Sequence, residues 1–249
     1  MTPAARPPFW LAIDTAHETA SVAVGPPPAA VASTWVRGAR QHAAQVIELV
    51  DRCLAADGRS VRDLAGIVIG DGPGSFTGLR IGWAAAKGLM TEGDVPLVAV
   101  PSLLAAAAGA AAVLGAVPVA ACFDALRGQV YGAVYIVHPD RVETLVVPDV
   151  ATVGELAQRA PVRPRAAVGD GAVRYAAEIT RWVGAAPLGP EQLVPGAAAL
   201  LALVQRAGAA RALADPATAE PVYGRPAEAQ VKWEARHGRP LPDSPGTAR

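Results

Sequence analysis

The stretch GDGPGSFTGLRIG (70–82) decides how the rest of the chain is read. It follows a short apolar run, Gly66 to Ile69, with the length of a buried strand. It leads into a segment with helical periodicity, from about Phe76 to Met90. Ser75 stands where a helix favours an N-cap hydroxyl. Gly72 and Gly74 let the backbone approach something closely, and Pro73 fixes the turn. Two readings are open. The free N–H groups of the helix start form an anion site, or the loop is a tight strand-to-helix turn packed on a neighbour. No Lys-Ser/Thr pair follows, so the loop is not of the Walker A type, and its glycines do not match the dinucleotide fingerprint. The packed turn is the favoured reading.

Outward from this loop the chain shows one pattern used twice. The first half has strands at Trp10–Ile13, closed by Asp14, then at Ser21–Val24 and Ser33–Val36. A helix over 41–56 places Ala43, Val46, Ile47, Val50 and Leu54 on one face, and Gly58 lies just past its end. After the 70–82 region come a strand at Leu97–Val100 and an alanine-rich helix at Ser102–Leu114. The second half has strands at Val119–Phe123, closed by Asp124, and at Val130–Val137 and Val142–Val147. A short helix at Val153–Arg159 and a strand at Ala166–Val168 lead into GDGAV (169–173) and a helix to about Trp182. A further helix spans Ala197–Leu213, and Glu220–Tyr223 is expected to form a short edge strand. The strand-ending aspartates lie 110 residues apart, and Asp71 and Asp170 of the Gly-Asp-Gly turns lie 99 apart. Both matches in one order predict a duplicated, two-lobed α/β fold. The expected lobes are 1–104 and 105–215, followed by a segment, 216–239, that packs back. The tail, 240–249, of Pro, Ser, Gly and Thr is expected to be disordered.

Composition agrees with this and excludes some functions. The 249 residues are 52% hydrophobic, enough for a large core in about two domains. Lys+Arg and Asp+Glu number 22 each, and neither half has the basic surplus that phosphate neutralisation needs, which argues against a protein that holds nucleic acid unaided. Cys53 and Cys122 lie in apolar segments and read as buried thiols of a reducing compartment. No signal peptide is recognised, and a cytoplasmic location is expected. The uncharged stretch from Val95 to Phe123 is divided by Pro96, Pro101 and Pro118. Its helical part would be roughly 20 Å long, short of the ~30 Å hydrocarbon core. No membrane association is expected.

The chemistry-bearing residues are few. Asp14 and Asp124 end paired strands, as do the carboxylates that hold Mg²⁺ or polarise water in two-lobed phosphotransferases. The turn between the first two strands of such enzymes needs glycine for phosphate approach. Here residues 15–20 contain none, and 125–129 contain only Gly128. No two of His17, His42, His138 and His237 lie four apart, so no helical histidine pair can ligate a metal. There is no Gly-x-Ser-x-Gly, and Ser75 has no histidine near it in sequence.

AIDTA (12–16), GDGPGSFTGLRIG (70–82), FDALRGQVY (123–131), VGDG (168–171) and EPVY (220–223) together resemble the TsaB (YeaZ) family. The resemblance covers about Leu11 to Lys232. It implies a duplicated ribonuclease H-like fold of the actin, Hsp70 and sugar kinase class. It also implies a role in forming N6-threonylcarbamoyladenosine at position 37 of tRNAs that read codons starting with adenine. By the same resemblance the chain is the non-catalytic partner of a TsaD-like transferase, joined by a TsaE-like ATPase. A separate enzyme supplies threonylcarbamoyl-adenylate, and tRNA is met only through the complex. TsaD-like proteins hold a metal through a His-x-x-x-His helix; the matching helix here, SLLAAAAGAAAVLG (102–115), has no histidine. No catalytic residue, metal or cofactor of its own is therefore expected, and whether ATP or ADP is shared at the complex interface is left open. Family members pair through first-lobe helices, which map to 41–56 and 76–90, and alone they can pair with themselves through the same surface. The small residues Gly78, Gly82, Ala85 and Ala86 leave two readings open, packing on this chain's own sheet or on another subunit; on the second, the expected partner residues are His42, Gln45, Val46 and Leu49 on one helix and Gly78, Leu79, Gly82, Trp83 and Ala86 on the other. The competing functions are an independent ATP-dependent phosphotransferase of the same fold and a glycoprotein-cleaving metalloprotease.

Overall fold

The apolar runs pair into two sheets. In the first, β1 (Trp10–Asp14), β2 (Thr19–Gly25) and β3 (Ala32–Arg37) form an antiparallel meander. β4 (Gly66–Gly70) lies parallel to β1, and β5 (Leu97–Val100) parallel to β4. The second sheet repeats this. β6 (Pro118–Asp124), β7 (Val130–Val137) and β8 (Val142–Ala151) form the meander, with β9 (Ala166–Val168) parallel to β6. Only a single parallel bridge, Val168 to Leu188, stands where the first sheet has β5. The structure is a computed structural model that describes residues 7–38, 42–225, 233 and 236–238, without the side chains of 42–44 and 212.

Alternation of side chains along the strands divides the core into layers. Leu11, Ile13, Ile67 and Ile69 face α1 (His42–Ala56) and α2 (Phe76–Gly93). Ala12 and Val68, on the opposite face, meet a layer formed by α3 (Ser102–Leu114) and a later helix, Gly196–Leu203. On the second sheet Ala120, Cys122 and Ala167 face α4 (Val153–Arg159), α5 (Asp170–Arg174) and α6 (Ala176–Val183). Val119, Ala121 and Phe123 face the shared layer. The Gly196–Leu203 helix is α7. It packs on β1, β2 and β4, while α3 packs on β6 and β7 and against α7. Both helices are apolar around most of their circumference, as a helix enclosed on all sides must be.

Several expectations need correction. The division at 104/105 falls inside α3, which is one continuous helix. The helix expected over 197–213 ends at Leu203; the chain then turns and adds β10 (Arg211–Ala212) to the edge of the first sheet beside β5. The helix expected up to Trp182 is broken at Tyr175 into α5 and α6. Residues 220–223 form no strand but an extended link between the lobes. Val222 N–H donates to the Asp71 carbonyl (2.8 Å), and Arg225 donates to the Ala125 carbonyl (2.6 Å) and to Gln129. Ile47 points outward, 44% exposed. The tail, 240–249, lies outside the described residues. Among the described residues no helix is long and apolar enough to cross a membrane.

Local signals explain the element ends. The Ser75 hydroxyl accepts from Gly78 N–H (3.2 Å), capping α2, and α2 ends on Asp94 in the left-handed region. Thr152 and Glu155 form a reciprocal capping box at α4. The β6–β7 turn is unusual: Leu126 (φ 62°) and Arg127 (φ 53°) are both left-handed and precede Gly128 (φ 79°). Such a backbone costs about 1–2 kcal/mol for each residue with a side chain.

Leu103 is fully buried in the layer shared by both sheets. Leu103→Ala is expected to destabilise the protein by about 2–5 kcal/mol. Urea denaturation should show one cooperative transition at a lower midpoint, because the layer belongs to both lobes. Two separated transitions would mean that the lobes unfold independently.

Candidate functional site

The glycine loop and the first turn fill one another. Ser75 N–H donates to the Ala16 carbonyl (2.6 Å), and the Thr15 hydroxyl donates to the Gly78 carbonyl (2.8 Å). A Cβ on Gly74 would collide with the Ala16 carbonyl, and one on Gly78 with the Thr15 carbonyl. The glycines are therefore demanded by close approach to residues 15 and 16, and the packed-turn reading is the one the structure bears out. The nearby donors are engaged as well: Gly72 N–H bonds to the Ser102 hydroxyl (3.2 Å).

Asp14 ends β1 and is 1% exposed. Its Oδ1 accepts from Ala16 N–H (3.3 Å) and from the Ser102 hydroxyl at the start of α3 (3.2 Å). Gly196, the first residue of α7, lies against Oδ2, where a Cβ would collide. The next N–H, that of Ala197, donates to the Ser21 hydroxyl (3.0 Å). Burial pushes the Asp14 carboxyl above its usual range, with the charge of His17 and the Ala16 and Ser102 donors opposing the shift. At 1% exposure the carboxylate has no open side from which a hydrated Mg²⁺ or a phosphate could approach it.

The counterpart in the second half is less enclosed, with 14% of its side chain exposed. Asp124 pairs with Arg174 (2.9 Å) and accepts from Leu126 N–H (3.0 Å) and the Tyr175 hydroxyl (3.4 Å). Asp170 Oδ1 accepts from Asp124 N–H (3.1 Å) and Gly171 N–H (2.9 Å), tying the two anchor motifs together. In the first half Asp71 is buried and held by Arg211 (Nη2 2.7 Å, Nε 3.2 Å). Burial raises its pKa and Arg211 opposes the shift. Arg211 carries no signal in the sequence that marks it as the partner of Asp71.

Between the lobes lies a mostly apolar cleft, lined by Trp35, Phe123 and Leu188 with His17, Arg37 and Asp170 at its polar points. The His17 ring packs on Phe123 (centroids 4.8 Å), and its Nδ1 accepts from Thr19 N–H (3.3 Å). His138 meets Glu143 (3.4 Å), and His237 stacks on Trp233. Among the described residues no three His, Cys, Asp or Glu side chains converge as a metal site. Cys53 and Cys122 are buried free thiols, and burial pushes Cys122 up to about 12.

The expected partner residues are placed differently from the expectation. Val46, Leu49, Gly78, Leu79, Gly82, Trp83 and Ala86 are all buried in this chain. Gln45 is half-buried, and the His42 side chain lies outside the described residues. A Cβ on Gly82 would collide with the Thr15 hydroxyl, so the small stripe serves the chain's own core. What α1 and α2 present outward is Ile47, with Ala84 and Gly88 exposed and Ile81 and Ala85 half-buried beside them. The spacing 81, 84, 85, 88 is itself a helical face and was legible once the inward face had been assigned.

A two-lobed duplicated fold with a closed first turn defines the class: a ribonuclease H-like protein of the actin and sugar kinase type. Residues 37–181 match the family model described as TsaD, tRNA N6-adenosine threonylcarbamoyltransferase. The TsaB proteins of Escherichia coli K12 and Bacillus subtilis 168, named as tRNA threonylcarbamoyladenosine biosynthesis proteins, are each 36% identical over 146 and 139 residues. Those matches cover 56% of this chain in both cases, and 63% and 59% of the relatives' own lengths, so the chain matches less than two thirds of either. A Pseudomonas aeruginosa structure described as similar to peptidase YeaZ superposes with a TM-score of 0.68 at 27% identity, over 88% of this chain and all of the other. YeaZ from the same species gives 0.59 at 28% identity, over 78% and 89%. The chain belongs to the TsaB/YeaZ branch of this threonylcarbamoyltransferase family.

The raised pKa of Asp14 fixes the sign of a pH effect. The protonated carboxyl fits the folded site better, so its contribution is full below the unfolded value of 3.8 and is lost as pH rises through the higher folded value. Asp14→Asn, which stays neutral, should therefore gain stability relative to the parent as pH rises from 4 to 8. Parallel denaturation curves with a pH-independent difference would show that Asp14 is not destabilised by burial.

Proposed function

We propose that this chain is the non-catalytic scaffold subunit of the assembly that forms N6-threonylcarbamoyladenosine at position 37 of tRNA, working in the cytoplasm. The pathway rests on the family. The non-catalytic role rests on one observation: Asp14 is sealed by Ser102 and Gly196, and Thr15 and Ala16 of the first turn are packed by the glycine loop, where a phosphotransferase needs open space. In this reading the chain pairs with a TsaD-like transferase and supports its activity, a TsaE-like ATPase joins them, and any ATP or ADP is held at the shared interface. The phosphotransferase alternative finds no open carboxylate at β1. The word peptidase in the name of a structural relative finds no convergent metal ligands among the described residues.

The surface we assign to the transferase is the outward face of α1 and α2, around Ile47, Ala84 and Gly88. Ala and Gly permit helices to approach within 8–10 Å, and a long charged side chain does not. A Cβ on Gly88 meets nothing within 4 Å, so Gly88→Arg should fold at least as well as the parent, given the helix penalty of glycine. It should nevertheless lose the transferase in a pull-down and fail to support tRNA modification in a reconstituted assay. Gly82→Arg should unfold instead, as circular dichroism would show. A folded Gly88→Arg that pairs normally would place the interface elsewhere. Modification that proceeds without this chain would overturn the scaffold reading.

A further inference from the structure

The link 220–225 and the strained β6–β7 turn build a surface that the scaffold reading does not use. Phe76 at the start of α2 packs on Tyr223 with the rings tilted by 35° (centroids 4.7 Å), and the Arg80 guanidinium lies over the Phe76 ring (5.4 Å). Val222, beside Tyr223, is 50% exposed. Two residues on, Arg225 grips the β6–β7 turn through the Ala125 carbonyl and Gln129. The turn thus held displays Leu126, 56% exposed, and the exposed Arg127, both at positive φ. Arg174, also exposed, lies behind it on Asp124.

The Leu126 side chain is 56% exposed, so burial in a core does not account for its conformation. Glycine or asparagine would make the same turn without strain. The turn is held rigid by Asp124 and Arg225, so strain and preorganisation coincide on an exposed apolar–cationic pair. An observed backbone outlier of this kind points toward function.

We infer that this seam, from Arg80 through Phe76 and Tyr223 to Leu126 and Arg127, is an RNA-contacting surface of the chain itself. The inference rests on the reading above, in which the assembly's substrate is tRNA. Charge complementarity selects the occupant. Arg80, Arg127 and Arg174 are exposed, whereas Asp71 and Asp124 are largely buried and bound to arginines. The exposed Glu220 carboxylate is engaged by the Tyr223 hydroxyl (3.0 Å). The seam therefore offers cations to phosphates, and guanidinium planes with the exposed Val222 and Leu126 to unpaired bases, features that single-stranded RNA selects. With zero net charge the chain supplies only part of the affinity, and the contact matters within the complex.

The test uses the full chain bound to its transferase and fluorescence anisotropy with tRNA over a salt series. Arg127→Glu should weaken binding about five- to tenfold near 0.1 M salt and flatten the salt slope by roughly 0.7–0.9. Adding Arg80→Glu should weaken it further, while a pull-down shows the transferase still bound. Leu126→Gly should leave the fold as stable or more stable, yet weaken tRNA binding. Unchanged affinity and slope, with modification still dependent on the chain, would overturn this inference alone. Loss of a protein partner with unchanged tRNA affinity would also overturn it, making the seam a protein contact. Modification that is independent of the chain would overturn the reading on which the inference rests.

Discussion

Two helices of small residues, enclosed between two sheets, constrain everything else in this molecule. α3 and α7 have little polar surface to give to water, and alanine lets both sheets close on them. Gly109 of α3 shows how tight the layer is: a Cβ there would lie 2.6 Å from the Val194 carbonyl. Because each helix packs on one sheet and on the other helix, neither lobe has a complete core alone. The interdependence also fixes the helix starts. Ser102 opens α3 and Gly196 opens α7, and both meet at Asp14. The seal over that carboxylate is thus a consequence of how the lobes share a core.

The two copies of the ancestral pattern have diverged in opposite ways. In the first, Thr15 and Ala16 after β1 are buried under the glycine loop, and the strand-ending aspartate is inaccessible. In the second, the equivalent turn stands out from the sheet on strained residues, and its aspartate holds an arginine near the surface. The sheet beside it has shrunk to a single bridge where a fifth strand would lie. The two turns therefore do not match across the cleft: one is packed under the glycine loop at Thr15 and Ala16, and the other stands on left-handed residues. The cleft that remains, with Trp35 and Phe123, is mostly apolar and carries few groups for phosphate.

Much of the fold was legible because strands and helices here carry strong patterns. The α3 bounds, the β7 run and the α4 segment follow directly from apolar runs and periodicity. The reading failed where tertiary context decides. On α2 the small residues Gly78 and Gly82 and the bulky Leu79 and Trp83 all turn inward, since glycine there answers to Thr15, 63 to 67 positions earlier. Periodicity within one helix cannot show which neighbour a small residue serves. The same holds for Arg211, whose pairing with Asp71 spans 140 residues. At 197–213 an apolar run continued the helical pattern on paper, but the chain turns back after Leu203 to supply an edge strand to the first sheet.

These placements decide where function can be exercised. The carboxylates a catalyst would expose are sealed or paired, and the glycines that would cradle an anion are filled by the chain itself. What the fold leaves to its surroundings are surfaces: a helix face of small residues, and a seam where chain from 220 to 225 joins both lobes. Both surfaces are set on rigid supports, the first on a helix buried along its other side and the second on a hydrogen-bonded turn. Preorganised surfaces bind with less entropy to lose on association. In the scaffold reading proposed above, such surfaces position other molecules, and the close-packed glycines and the strained turn keep them in shape.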